Sequence, residues 1–294
     1  MAEQPLIWAS IRGLTRLLAG LSQERASRLG GRLGRLVGLI ESDRRARSEA
    51  RVVRALRVDG PKARRIVRGA YDHFGRCAAE FLRLPLVAPE MGRYVSVEGE
   101  EYLRSALDRG RGVVLLSGHL GNWEYGVALL ALKGYPVQAI GAEQRDPRIT
   151  DLVGELRASA GVRPLGKGFD LKAAISCLRG GEVLAILLDQ DAKSRGLISP
   201  FLGLPASTPV GPVKLAAKTG AAVVPCFCLR EPDGVSFRLR IHPPLDEAGG
   251  RPFGEDPQAS VDRCNRVIGE AILSRPAQWM WMYPRWASTL GDRK

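Results

Sequence analysis

The chain has only three histidines, His73, His119 and His242, and one of them stands where chemistry is easily built. His119 follows an apolar run ending at Ser117, is flanked by Gly118 and Gly121, and is succeeded by Asn122, Trp123 and Glu124. This order reads as a strand end, a glycine turn and a helix start, with Asn122 as the N-cap. Open α/β sheets place their ligands at such strand ends. On one continuous helix, residues five apart would stand roughly 140° apart around the axis. With His119 in the turn and Glu124 in the first helical turn, the chain can fold back so that the two meet. A carboxylate bonded to one ring nitrogen fixes the imidazole tautomer and raises the basicity of the other nitrogen. Such a pair takes a proton from an alcohol as it attacks an activated acyl carbon. No Gly-x-Ser-x-Gly elbow is present, so no acyl-enzyme route is expected. His73 and His242 read as surface or satisfied core residues.

The elements that must position this stretch fall into two parts. From about residue 94 onward, strands and helices alternate. Strands are expected at 94–98, 112–117, 136–141, 183–188 and 222–229, with helices at 122–132, 147–161, 172–178, 213–219 and 261–273. That alternation predicts an α/β fold. In one further strand Val235, Phe237, Leu239 and Ile241 alternate with polar residues, as in half-exposed antiparallel or edge strands, so the sheet is expected to be mixed and mostly parallel, flanked by helices. Residues 1–93 are expected to form a helical N-terminal portion and 94–294 the α/β core of one domain spanning 1–294. Ile7, Ile11, Leu14, Leu18 and Leu21, then Leu29, Leu33, Leu36 and Ile40, recur at helical spacing with arginines opposite. Two readings stand: interfacial helices on anionic lipid, or surface helices packed on a core. The glycines at 13, 20, 30, 31, 34 and 38 weaken both helices. The charged stretch 41–70 reads mostly as a solvated helix face, and residues 61–84 as a further helix.

Forty-four Lys and Arg against 31 Asp and Glu give a net charge of +13. This favours anionic partners: nucleic acid, lipid headgroups or an acidic protein. The arginines are spread and no recognised binding motif occurs, so no nucleic acid is expected; a basic nucleic-acid-binding protein and a non-catalytic lipid-binding protein are the rivals from other classes. The five cysteines, Cys77, Cys177, Cys226, Cys228 and Cys264, match no disulfide or zinc spacing. Cys226 and Cys228 lie in an apolar strand and read as core thiols. No metal site is expected. No window of 18 apolar residues and no secretory leader pattern occurs, so no membrane-spanning helix is expected.

The stretch Gly118–Glu124 resembles the His-x4-Asp/Glu signature of the lysophospholipid acyltransferase superfamily, and its Gly-Asn-Trp-Glu form the lipid A late acyltransferase branch, the lauroyl and myristoyl transferases. Further blocks are similar and in the same order: Pro147, Arg157 and Gly161; Asp189-Gln190-Asp191; the run Pro200 to Thr208; Leu215 to Pro225; and Pro276-Ala277-Gln278-Trp279-Met280-Trp281 with Arg285-Trp286. Glu80 adds an upstream match. Tyr283 and Pro284 stand near where the family usually has His or Arg.

The resemblance implies a glycerol-phosphate acyltransferase-like fold and an acyltransferase. His119 would be the general base, oriented by Glu124. Arg157 would stabilise an oxyanion or grip a phosphate, and Asn122 and Trp123 would cap and pack the turn or touch substrate. Asp189, Gln190 and Asp191 would bind substrate polar groups or order the following loop, while Arg285 would hold a phosphate or form a salt bridge. Trp279, Trp281 and Trp286 read as core. The family uses no metal or cofactor; its co-substrate is an acyl thioester of acyl carrier protein or coenzyme A. The implied acceptor is an anionic glycolipid, foremost a lipid A precursor, with a lysophospholipid, a phosphoinositide mannoside or an ornithine-type lipid as alternatives. The implied location is the cytoplasmic face of the bacterial inner membrane, peripheral or monotopic on the membrane surface.

Overall fold

The structure is a computed structural model that describes residues 4–141, 144–165, 170–245 and 253–291. Four helices open the chain: α1 (Pro5–Ala19), α2 (Gln23–Ile40), α3 (Ser42–Leu56) and α4 (Gly60–Leu82). Their ends follow from local chemistry. Ser22 caps α2 by accepting from the Arg25 amide, and Asp59 caps α4 by accepting from the Lys62 amide at 2.7 Å. Arg57, in the left-handed region at φ 52°, ends α3. The expected solvated face at 41–70 is thus two helices with a break between them.

The face that α2 buries is not its leucine stripe. Its buried residues are Gln23, Ala26 and Ser27 in the first half, then Gly30, Gly31, Gly34 and Gly38, while Leu33, Leu36 and Ile40 are exposed. A Cβ built on Gly34 would land on the Tyr71 carbonyl oxygen, and one on Gly30 on that of Gly75. The two backbones touch because these positions carry no side chain. The entropic weakness of glycine in a helix is here the condition for close packing of α2 on α4.

The short helix α5 (Leu84–Val87) and a 3-10 turn (Ala88–Arg93) lead into the sheet region. In chain order follow β1 (Val95–Glu98), α6 (Glu100–Leu107), β2 (Val113–Ser117), α7 (Trp123–Leu132), β3 (Val137–Ala139), α8 (Pro147–Ala158), β4 (Arg163–Pro164), α9 (Leu171–Arg179) and β5 (Val183–Leu187). Then come β6 (Leu197–Phe201), β7 (Leu204–Thr208), α10 (Gly211–Thr219), β8 (Ala222–Arg230), β9 (Phe237–Ile241), α11 (Pro257–Ser274) and α12 (Ala287–Leu290).

Among the described residues, seven strands form one sheet in the order β1-β9-β8-β2-β5-β3-β4. All neighbours are parallel except β8 and β9, so β1 and β9 run against the other five. This is the mixed, mostly parallel sheet flanked by helices that the hydrophobic patterning predicts. β2 lies between β8 and β5, and covers on both faces explain its unbroken apolar run. Val114 and Leu116 pack into one layer, Val113 and Leu115 into the other. β9 alternates as read: Phe237, Leu239 and Ile241 are buried and Arg238 and Arg240 exposed.

The hairpin β6–β7 was not expected from sequence, since Pro200 and Pro205 argue against strands. They pair opposite one another, and Leu202 and Gly203 form the two-residue turn with φ of 50° and 77°. Both angles are positive, as the type I′ hairpin turn requires. Trp279, Trp281 and Trp286 are buried in one aromatic cluster, with Trp279 and Trp281 edge to face at 4.6 Å.

Candidate active site

The turn after β2 is held from both sides. His119 accepts a hydrogen bond from the Met280 amide through its carbonyl, Gly121 donates to the Gln278 carbonyl at 3.0 Å, and Asn122 donates to the Cys228 carbonyl at 2.8 Å. Gly121 has φ of 63°, and a Cβ there would strike the Cys228 carbonyl oxygen. Asn122 is the N-cap of α7: its side-chain oxygen accepts from the Tyr125 amide at 3.1 Å, while its amide nitrogen donates to Glu80 at 2.9 Å.

The imidazole of His119 is fixed by Asp189. Nδ1 lies 2.8 Å from Asp189 Oδ1, and the His119 backbone N–H donates to Oδ2 at 2.7 Å. Trp279 Nε1 donates to the same Oδ2 at 2.7 Å. The register explains the meeting. Ser117 lies opposite Leu187 in the parallel pair β2–β5, so two residues further along each strand bring His119 beside Asp189. Gly118 leaves room for the carboxylate, because a Cβ there would stand 3.0 Å from Oδ2. Burial depresses the His119 pKa, but the charge and hydrogen bond of Asp189, with help from Glu124, outweigh it and the net direction is upward. Burial raises the Asp189 pKa, and the same bonds from His119 and Trp279 reverse it to a net lowering.

Glu124 stands at the start of α7 as read, but its partner differs from the expected one. Its carboxylate takes two hydrogen bonds from Arg157 on α8, Nε to Oε2 at 2.9 Å and Nη2 to Oε1 at 2.7 Å. Trp123 Nε1 adds a third at 3.0 Å. The carboxylate at Nδ1 of His119 is that of Asp189. Nothing local in the sequence points to this pairing: Asp189 is 70 residues away, and β3 and β4 intervene along the chain. Trp123 also packs edge to face on His119, with centroids 5.1 Å apart.

His119, Asn122, Trp123, Glu124, Arg157 and Gln190 line a cavity of about 550 Å³, walled on its apolar side by Phe74, Ala78, Phe81 and Ile186. A smaller, more enclosed pocket shares Trp123, Glu124, Arg157, Ile140, Ile186 and Leu187 with it and continues past Ser117 along a mainly apolar lining to Cys228 and Leu239. The other two expected residues lie elsewhere. Asp191 accepts from the Ser288 amide and hydroxyl and from the Lys193 amide, which orders the loop after β5. Arg285 is fully buried, donates to the Ser207 carbonyl and Thr208 hydroxyl, both at 2.6 Å, and stacks on Phe201. Burial brings its pKa down to about 10. Its side chain serves the hairpin and not the cavity.

A buried network beneath the turn had only a trace in the sequence, at Glu80. Arg230, at the end of β8, grips Glu80 through two bonds of 2.6 and 2.7 Å, and Ser27 of α2 donates to Glu80 at 2.7 Å. The carboxylate therefore ties α2, α4, β8 and the Asn122 cap together. His73 and Cys77 complete the cluster: Cys77 Sγ lies 3.3 Å from His73 Nε2, and Arg230 Nε donates to His73 Nδ1 at 3.4 Å. Burial, then the Arg230 charge, push the His73 pKa down to about 3. Among the described residues, no group of three or more His, Cys, Asp or Glu is placed to hold a metal, and all five cysteines are free and buried.

The α/β fold thus sets a histidine at a strand end, with a carboxylate on its ring nitrogen, beside a cavity with an apolar wall. Residues 2–288 match the family described as bacterial lipid A biosynthesis acyltransferase, and the chain belongs to that family. It is 28% identical over 296 residues to a phosphatidylinositol mannoside acyltransferase of Mycolicibacterium smegmatis, covering 98% of this chain and 91% of the relative. It is 29% identical over 232 residues to the protein of that name from Mycobacterium tuberculosis H37Rv, covering 76% and 71%. It is 28% identical over 199 residues to the lipid A biosynthesis lauroyltransferase of Escherichia coli K12, covering 66% and 62%. Both kinds of relative are acyltransferases, so the chain moves an acyl group from a thioester donor to a lipid acceptor.

Proposed function

We propose that His119 is the general base of this transfer, with Asp189 as its orienting carboxylate. The observation that carries the reading is the Nδ1–Asp189 hydrogen bond of 2.8 Å. It makes Nδ1 the protonated nitrogen and leaves Nε2 to accept a proton from the acceptor hydroxyl. The hydroxyl oxygen then attacks the thioester carbonyl carbon, the C–S bond breaks, and the leaving thiolate takes the proton from the imidazolium. Glu124 and Arg157 act as a pair: with both oxygens of Glu124 held by Arg157, the pair shapes the cavity wall where substrate polar groups enter. Gln190 offers an amide to the same groups. The donor is an acyl thioester of acyl carrier protein or coenzyme A.

For the acceptor, the hydroxyl of a mannosylated phosphoinositide glycolipid fits better than a lipid A precursor. The support is the extent of similarity, which spans 98% of the chain for a mannoside acyltransferase and 66% for the lauroyltransferase. The chain would work on the cytoplasmic face of a bacterial inner membrane as a peripheral protein. Exposed Leu36, Leu39 and Ile40 on α2 support attachment to a membrane surface, and no helix among the described residues is long and apolar enough to cross a membrane. The test is transfer from a radiolabelled acyl thioester to a panel of phosphoinositide mannosides, lipid A precursors and lysophospholipids, by wild type and His119→Ala. Product on the mannosides, lost in the variant, is expected. Equal transfer by both proteins would refute the mechanism, and product only on lipid A precursors would refute the acceptor.

A further inference from the structure

α2, α3 and the first half of α4 enclose a second groove, of about 760 Å³, that shares no residue with the His119 cavity. Six arginines line it: Arg32 and Arg35 from α2, Arg45 from α3, and Arg64, Arg65 and Arg68 from α4. Among the described residues, the single acid in the lining is Glu49. Two of the arginines have partners. Arg35 pairs with Asp72, and Arg45 lies 3.7 Å from Glu49 and donates to the Gly38 carbonyl at 3.0 Å. Arg32, Arg64, Arg65 and Arg68 are exposed and have no hydrogen-bonding or ionic partner among the described residues.

Four unpaired guanidinium groups around one concavity repel one another, and an entering anion relieves that repulsion while accepting charge-assisted hydrogen bonds. The kind of anion is set by the rim. Leu36 and Leu39 are part of the groove, Ile40 follows them, and these side chains are 52%, 67% and 73% exposed. A row of exposed aliphatic side chains beside arginines suits the bilayer boundary, where the former enter the acyl region and the latter meet phosphates. A soluble polyanion offers the leucines nothing.

We propose that this groove docks the chain on the phosphate headgroups of an anionic bilayer, at a place separate from the cavity that receives the acceptor. The inference builds on the membrane location proposed above but needs no acyl transfer to be tested. The full chain is sedimented with vesicles of phosphatidylcholine alone and of phosphatidylcholine mixed with phosphatidylglycerol. Wild type is expected to bind the mixed vesicles, less so as salt rises. Arg64→Gln/Arg65→Gln/Arg68→Gln is expected to weaken binding at least tenfold, with the unfolding temperature unchanged because the three side chains are exposed. Leu39→Ser/Ile40→Ser is expected to weaken it as well. A control of equal charge, Arg179→Gln/Arg266→Gln/Arg275→Gln, removes exposed arginines outside the groove and is expected to bind as wild type does. Equal loss in groove and control variants would reduce the effect to net charge and overturn the proposal. So would wild-type vesicle binding by the groove variant. Transfer to a detergent-dispersed acceptor reports separately on the function: if wild type transfers nothing yet the vesicle results hold, the docking site stands and the catalytic reading falls.

Discussion

Glu124 is clamped by Arg157 through two hydrogen bonds of 2.9 and 2.7 Å, and the ring nitrogen of His119 belongs instead to Asp189. Two carboxylates thus divide the work that the sequence spacing assigns to one. Asp189 governs the tautomer and charge of His119, the proposed base, and Glu124 stands in a neighbouring wall of the cavity.

Asp189→Asn should lower kcat by roughly 10²- to 10⁴-fold, the usual scale for a disabled general base, with a smaller change in KM. The pH profile carries the sign. Transfer rises with pH as His119 loses its proton. Asp189 holds that pKa up, so its neutralisation should move the rising limb to lower pH while the plateau falls. A limb that stays in place would count against Asp189 as the orienting group.

The Glu124–Arg157 pair is mostly buried, with side chains 12% and 14% exposed. Arg157→Met leaves a carboxylate without its partner and should destabilise the fold by about 3 kcal/mol. Glu124→Gln/Arg157→Met should recover part of that loss, because no unpaired charge remains. Denaturant unfolding of the two single variants and the double variant measures the coupling. Additive losses would show that the ion pair contributes little beyond its separate parts.

Two glycines should respond in opposite ways to alanine. Gly34 touches the α4 backbone, so Gly34→Ala should destabilise by about 1–3 kcal/mol through overpacking. Gly13 lies within α1 with nothing inside 4 Å of its would-be Cβ, so Gly13→Ala should stabilise by about 0.5–1 kcal/mol through helix propensity. Thermal unfolding of both variants is the check.

His73 is held neutral in the fold, its pKa lowered from 6.5 to about 3. The unfolded chain binds a proton there before the folded chain does. Stability from this group is therefore complete above pH 6.5 and lost progressively as pH falls toward 3. His73→Gln should flatten the stability profile between pH 6.5 and 4.5, above the range where carboxylates dominate. An unchanged slope in urea titrations over that window would contradict the assignment.

Much of the fold was legible because the central strands carry an uninterrupted apolar run and β9 alternates. The hairpin β6–β7 was hidden by Pro200 and Pro205, whose missing donors matter little when they face each other in an isolated two-stranded ribbon. Of the two readings of the α2 leucine stripe, packing on a core is the one the structure sets aside for Leu33, Leu36 and Ile40: counting apolar residues gives no weight to glycine, and Gly30 and Gly34 bury backbone in place of side chain. At the site, His119, Asn122, Trp123, Glu124 and Arg157 were found from local order and family resemblance, and the structure gathers them around one cavity. The partner expected for His119 was Glu124 and the one observed is Asp189, because which carboxylate meets the histidine depends on strand order. Glu80 and Arg230 are 150 residues apart, and only the completed sheet and helices bring them together.

The pairing of Ser117 with Leu187 has a bearing on how this site can evolve. A shift of β5 by one residue against β2 would place Leu188 or Gln190 beside His119, and it would also turn Leu184 and Ile186 out of their layer of the core. The partner of the histidine is thus inherited from the same alignment that keeps the interior dry. Substitutions in the apolar wall of the cavity leave that alignment in place, whereas an insertion or deletion in either strand would disturb the core and the His119–Asp189 pair together.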